Sequence, residues 1–359
     1  MRGLSATLAC LVLAPLAIFG GTSPGWAANT SAEEEGAFDL SIYAKAHRMV
    51  EVEPGRQLNL VCIGEGSPTV VFDIGVGDPA GDWALVQPRV AKVTRTCSYD
   101  RAGLGFSDEF AGDGSSAYIV ADLRRLLKAA SIKPPYVLVG QSYGGMNVRL
   151  FYYTHPEEVL GLVLVEPSHE DQDDGFRMLT PKELSRADWV ALREPGRVMR
   201  ERCINAASRG VDPESKEFTG CVVDPPALLP DSIKPMYLAM QHGEKFQRAQ
   251  GAEETAVYAA SVEQLRSSRR GFGDLPVIVL SRSVENRPLR NWETQRLRQA
   301  RYRFWLDLHR SMADSSSVGE HRVVPDSDHL LMLSQPNAVI TAIQDVLSRV
   351  GKQAPGGSP

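Results

Sequence analysis

The stretch that most constrains this chain is residues 136–145. An apolar, β-branched run (Val137, Leu138, Val139) leads into Gly140-Gln141-Ser142-Tyr143-Gly144, and residues 145–153 are compatible with a helix. A serine between a strand and a helix, with glycine two positions before and two after, fits a tight turn that raises the hydroxyl at the carboxyl edge of a sheet. Side chains at Gly140 and Gly144 would obstruct the close strand–helix approach such a turn demands. A glycine-rich connection with an incidental serine is the plainer alternative, but the flanking strand and helix disfavour it. Ser142 therefore reads as a nucleophile.

Around this turn the chain alternates strands and helices. Residues 47–52 and 58–63 flank Pro54-Gly55 as a hairpin, and residues 69–75, 94–99, 161–165, 275–281 and 321–324 read as further strands. Helical periodicity marks residues 82–92, 115–130, 291–310 and 337–350. Apolar strands alternating with helices predict an α/β protein with a parallel sheet covered on both faces. Residues 168–273 carry polar helical segments (181–192, 198–208, 235–248, 253–269) and no strong strand. So long a stretch reads as a helical insertion, since a bare loop of that length is implausible.

The amino terminus looks like an export signal. Arg2 precedes the apolar residues 8–19, and the small residues around Ala27 suit cleavage there, with an uncleaved anchor as the rival. No later segment reaches about 18 uninterrupted apolar residues. Residues 28–45, with Glu33, Glu34 and Glu35, read as a flexible leader, and 351–359 as a disordered tail. The formal net charge of −5 comes without a basic block, which argues against nucleic acid and anionic membranes as partners.

Export shapes the reading of the cysteines. Of five, Cys10 leaves with the signal, and Cys62, Cys97, Cys203 and Cys221 remain. An even number in an oxidising compartment suggests disulfides, with three pairings open. The local choice joins Cys203 to Cys221, leaving Cys62 for Cys97. No CxxC spacing or His/Cys cluster suggests zinc, and no cofactor is called for.

Four stretches together resemble the α/β-hydrolases, the superfamily of esterases, lipases and relatives. They are Ile74-Gly75-Val76-Gly77, the run from Tyr99-Asp100-Arg101 to Gly105-Phe106-Ser107, the serine turn, and Ser327-Asp328-His329. The resemblance implies an eight-stranded, mostly parallel sheet built from residues 46–167 and 274–350, with 168–273 as a helical cap after strand six. Its strand order makes the second and fourth strands neighbours, which independently favours the Cys62–Cys97 pair.

The family's chemistry maps onto this chain residue by residue. A serine hydroxyl needs a base, and of seven histidines His329 stands where the superfamily places it, with His169 as rival. Two acids compete to orient the imidazole. Glu166 ends the apolar strand before Pro167, where dehalogenases and some esterases of the family carry their acid. Glu285 stands after the next strand, where most members carry aspartate. Asp328, adjacent to His329, is badly placed to reach its ring. The backbone N–H groups of Tyr143 and Val76 are the expected oxyanion donors. Ile74 replaces the histidine usual before that glycine, and no HGGG run is present, which puts bulky tertiary-alcohol esters in doubt.

Asp100 and Arg101 read as an ion pair beneath the turn, with a substrate role for Arg101 as an alternative. Trp189, Met236, Tyr237, Met240 and Phe246 read as the cap's own core, although they could line a pocket. The expectation is an exported serine hydrolase acting on a small-molecule carboxylic ester. Peptidase, lactonase, acyltransferase or carbon–carbon hydrolase chemistry, or a non-catalytic ligand-binding relative, are the alternatives. Epoxide and haloalkane hydrolases need a carboxylate nucleophile, which Ser142 does not supply.

Overall fold

The computed structural model describes residues 38–179, 194–283, 289 and 293–353. The expected signal (1–27), the helix at 181–192 with Trp189, and Glu285 lie outside the described residues. Eight strands form one sheet: β1 (Arg48–Glu53), β2 (Arg56–Ile63), β3 (Thr69–Asp73), β4 (Thr96–Tyr99), β5 (Tyr136–Gln141), β6 (Val159–Val165), β7 (Val277–Arg282) and β8 (Glu320–Val324). Their order is β1-β2-β4-β3-β5-β6-β7-β8. The β1–β2 and β2–β4 pairs are antiparallel, and every later pair is parallel.

The unbroken apolar character of the central strands follows from a core on each face. Val71, Leu138, Leu162, Leu164, Val277 and Val279 join one buried cluster. Their alternating neighbours Val70, Phe72, Val137, Val139, Val163, Val165, Ile278 and Leu280 join the other. Side chains alternate with period two along a strand, so a strand packed on both sides needs an apolar residue at every position. The first face is covered by α1 (Ser116–Ala129) and α2 (Tyr143–Thr154) through Ile119, Leu123, Leu126, Leu127 and Met146. Between β6 and β7 come α3 (Gln172–Met178), α4 (Glu194–Ser208), α5 (Lys234–Gln241), α6 (Glu244–Ala256) and α7 (Ala260–Ser268). After β7 follow α8 (Gln295–Asp314) and, beyond β8, α9 (Pro336–Gln353), whose Val339, Ile343 and Val346 cover the second face.

Several boundaries differ from the sequence expectation for physical reasons. The helix expected over 82–92 is a 3₁₀ turn at Ala80–Trp83 and a single α-turn at Gln87–Val90, with Pro88 in its first turn. Proline lacks an N–H and is tolerated only where a helix begins. The helices expected over 235–248 and 253–269 are three, divided at Gly243 and Ala259, which stand as N-caps. Residues 38–45 are docked, against the expectation of a leader flexible through residue 45. Asp39 caps the 3₁₀ turn Leu40–Ala44, and buried Tyr43 donates to Gln87 Oε1 at 3.0 Å. The last helix runs to Gln353, past the expected start of a disordered tail at 351.

Both disulfides are present. Cys62 and Cys97 face each other across the β2–β4 pair, with an S–S distance of 2.10 Å. Cys203 on α4 joins Cys221 at 2.08 Å, and the two centre a small cluster with Ala206 and Phe218. Among the described residues no helix is long and apolar enough to cross a membrane.

Candidate active site

Ser142 sits between β5 and α2 with φ 51 and ψ −116. A non-glycine residue at that φ costs about 1–3 kcal/mol and persists only where its surroundings enforce it. The enforcement here is visible in the backbone. Ser142 N–H donates to Val165 O at 3.2 Å, while its carbonyl accepts from Gly145 at 3.0 Å and from Ser168 at 2.8 Å. A Cβ on Gly140 would stand 2.4 Å from Gly144 O, and one on Gly144 would stand 2.6 Å from the Asp73 carbonyl. Both glycines are therefore required by close approach. The serine remains partly exposed, at the start of α2 where free N–H groups favour negative charge.

The His329 loop is tied to the same edge from two sides. Ser283 and Ser327 bond reciprocally at 3.1 to 3.2 Å, joining the loop to the end of β7. Gln141, the residue before Ser142, donates from Nε2 to the His329 carbonyl at 3.0 Å. The imidazole Nδ1 then lies 3.9 Å from Glu166 Oε1. That is longer than a hydrogen bond, and catalytic contacts of this kind commonly tighten only in the substrate complex.

Glu166 follows β6 at φ 47 and is fully buried. Its Oε2 accepts from the Arg282 backbone N–H at 2.8 Å, and its Oε1 from Trp305 Nε1 at 2.8 Å and from the Arg282 guanidinium. Burial alone would raise its pKa. Arg282 above all, followed by His329, outweighs burial and holds the carboxyl well below its usual range. It is a fixed anion beside the imidazole.

The other histidines are placed differently. His169, the rival base, is buried and accepts on Nδ1 from the Asp171 N–H at 2.9 Å. Burial and then Arg149 press its pKa down to about 4. His309 Nε2 lies 3.0 Å from Pro167 O, and because a carbonyl only accepts, that nitrogen carries the proton. Ser281 Oγ, 2.5 Å from His309 Nδ1, then donates there and accepts from His321 Nε2 at 2.7 Å. Burial brings His309 down to about 3, so this buried chain beside Glu166 is neutral. Asp328 is exposed and accepts from the Leu330 N–H at 2.9 Å in its own turn.

The turn after β3 comes to the same edge: a Cβ on Gly75 would stand 3.5 Å from Ser142 Cβ, and Val76 beside it is partly exposed. Arg101 fixes the turn from below, donating to Ile74 O at 2.7 Å and to Gly75 O. The expected Asp100–Arg101 pair is not formed. Asp100 accepts from Ala80, Phe106 and Asn59. Arg101 pairs with Asp73 at 2.8 Å and with Glu253 of α6 at 2.7 Å. Glu253 Oε2 also accepts from the Gly77 N–H at 2.9 Å, so a helix far along the chain holds the turn in place. Gly77 lies close against α6, since a Cβ there would stand 2.9 Å from the Gln250 side chain.

Tyr237, Met240 and Phe246 pack within the core cluster of the second sheet face, with Trp83 and Leu331, rather than in a core of their own, and Met236 lies partly buried against it. Tyr143 is buried and its hydroxyl donates to Gly114 O at 2.7 Å, which anchors the first residue of α2. Sequence reasoning missed Asp78, Gln141, Glu253, Arg282, Trp305 and His309. Only Gln141 and Asp78 adjoin a motif; the others come from distant elements with nothing local to mark them. Among the described residues His155, Glu157 and Glu158 bring potential metal-ligand atoms within 4.8 Å, but Glu158 is paired with Arg124 at 2.5 Å.

A mostly parallel sheet with a strained serine at its carboxyl edge, a histidine loop after the last strand and a buried acid after β6 defines an α/β-hydrolase fold. Comparison with known proteins agrees. A family model described as alpha/beta hydrolase fold matches residues 68–192. The uncharacterized protein YqjL of Bacillus subtilis is 32% identical over 108 residues, 30% of this chain and 43% of that protein. The chain spans less than half the length of the curated relatives it matches. The solved epoxide hydrolase CorEH superposes with a TM-score of 0.62 at 16% identity, covering 84% of this chain and 98% of that one. Est816, described as an N-acyl homoserine lactone degrading enzyme, gives 0.52 at 20% identity, covering 83% and 99%. The chain therefore has the α/β-hydrolase fold, and its residues 68–192 match the model of that family.

Proposed function

We propose that this α/β-hydrolase is an exported serine hydrolase that cleaves a carboxylic ester of a small or medium-sized substrate through an acyl-enzyme. Ser142 attacks the carbonyl as His329 takes its proton. Glu166 orients the imidazole and stabilises its cation, and the backbone N–H groups of Tyr143 and Val76 receive the oxyanion. Collapse of the tetrahedral intermediate breaks the bond to the alcohol, which leaves with the proton from His329. Water, deprotonated by the same histidine, then releases the acid.

The observation that carries this reading is the convergence at one sheet edge of Ser142 in a strained turn, the His329 loop bonded to Gln141, and the buried Glu166 carboxylate 3.9 Å from the imidazole. That contact favours Glu166 over Glu285 as the acid. The epoxide hydrolase among the structural relatives does not transfer its chemistry, because a hydroxyl stands where that reaction needs a carboxylate. In this reading residues 168–273 form a cap over the site, and residues 1–27 direct the chain to an oxidising compartment, consistent with two disulfides. The test is pre-steady-state release of p-nitrophenol from a panel of activated esters. An acyl-enzyme gives a burst stoichiometric with protein, followed by slower turnover; hydrolysis at the background rate across the panel overturns the proposal.

A further inference from the structure

Beside Ser142 two oxygen acceptors converge. The position a Cβ on Gly75 would take is 2.7 Å from Asp78 Oδ2, 2.8 Å from Gln141 Oε1 and 3.5 Å from Ser142 Cβ. Gln141 is fully buried; its Nε2 is committed to the His329 carbonyl, and its Oε1 has no hydrogen-bond partner among the described residues. A buried amide oxygen without a donor is costly, and such a group in a native site points to a ligand that satisfies it. Asp78 is partly exposed, and its Oδ1 accepts from Tyr237 OH of α5 at 3.2 Å.

No ion pair engages Asp78 among the described residues. Among the described residues Arg101 is the guanidinium that acts most on Asp78, but Asp73 and Glu253 both engage it and its other donors go to Ile74 O and Gly75 O. Asp82 is buried with neither oxygen bonded, and burial, then Asp78 and Asp100, push its pKa well above the usual range. His329 contributes a smaller attraction to Asp78, and Tyr237 is neutral, its phenol pushed well up by burial. Asp78 itself is raised to about 6, chiefly by burial, so at neutral pH it is an anion beside the oxyanion donors. A carboxylate there opposes the negative charge that develops on a neutral ester in the transition state. A substrate cation removes the conflict and supplies the missing donors.

We propose that Asp78 and Gln141 Oε1 form a subsite for an ammonium or other N–H donor on the substrate, close to the scissile carbonyl, so that Asp78 selects amine-bearing esters over neutral ones. The proposal deepens the serine-hydrolase reading and rests on it. An ammonium offers three donors. One reaches the Asp78 carboxylate as a charge-assisted bond, and another the orphan amide oxygen.

The probes are alanine p-nitrophenyl ester and p-nitrophenyl isobutyrate, which differ by an ammonium in place of a methyl. At pH 7 the wild type should favour the alanine ester in kcat/KM by more than tenfold after correction for spontaneous hydrolysis, and Asp78→Asn should cut that ratio at least tenfold. A parallel measurement needs no turnover. Calorimetry on Ser142→Ala should show alaninamide binding at least tenfold tighter than isobutyramide, with the preference lost in the Ser142→Ala/Asp78→Asn double variant. A ratio that Asp78→Asn leaves unchanged, or equal binding of the two amides, overturns the subsite even if both esters are cleaved. A chain inert to both esters that still prefers alaninamide through Asp78 keeps the subsite and removes the hydrolase.

Discussion

The carboxyl edge of the sheet and the helices inserted between β6 and β7 both serve the site, by opposite means. At the edge, position comes from the backbone: Ser142 and Glu166 occupy positive φ, and main-chain bonds to Val165, Gly145, Ser168 and Leu280 hold them. The insertion acts through single long side chains. Glu253 reaches down to Arg101 and the Gly77 N–H, and Tyr237 reaches Asp78. Backbone geometry leaves a local pattern of glycines and strand residues, whereas one carboxylate on a helix leaves none. In the proposed function the edge supplies the chemistry, and the insertion sets the shape and charge of the turn proposed to receive the oxyanion.

The largest expected effect lies at the edge. Ser142→Ala should lower kcat by roughly 10⁶-fold, as loss of a nucleophile does elsewhere, while leaving the circular-dichroism spectrum and thermal midpoint near wild type. Glu166→Gln should cost about 10⁴-fold in kcat, against no more than a few-fold for Glu285→Gln. The reverse ranking in steady-state assays would move the acid to the β7 loop. For the insertion, Glu253→Gln leaves Arg101 with one carboxylate and should destabilise the chain by about 3–5 kcal/mol in urea titration. It should also lower kcat more than it raises KM, since the oxyanion turn loosens. Loss of stability with unchanged kcat would reduce the insertion to packing.

Two smaller effects sharpen the contrast. Replacing Cys203 and Cys221 by serine should cost about 2–4 kcal/mol of stability with little change in kcat, since that bridge lies within the insertion. Asp78 should appear in the pH dependence of stability. Its folded pKa is raised from 3.8 to about 6, so between those values the folded chain holds more protons than the unfolded one. Stability therefore falls as pH rises through that window, and urea midpoints of Asp78→Asn should fall less steeply there than those of wild type.

Much of the fold was legible because a two-sided core demands unbroken apolar strands, and β5, β6 and β7 show them. The serine turn was legible because Gly140 and Gly144 are needed sterically. That β2 and β4 are neighbours came from the family's strand order, which added to the Cys62–Cys97 pairing already left by the local choice of Cys203 with Cys221. Arg101 was misassigned because adjacency to Asp100 is no guide once the side chains leave the loop in different directions. Its true partners, Asp73 and Glu253, are 28 and 152 residues away. The helix breaks at Gly243 and Ala259 were missed because polar periodicity continues across both. Arg282, Trp305 and His309 were illegible for the reason Glu253 was: each meets the site through tertiary contact alone.

The central claim is that Ser142 is a nucleophile activated by His329. Intact-mass and peptide mapping after treatment with a fluorophosphonate tests it most directly. A single adduct on the Ser142 peptide is predicted, absent in Ser142→Ala and formed at least a hundredfold more slowly in His329→Ala. An adduct on another residue, or equal labelling rates in wild type and His329→Ala, would contradict it.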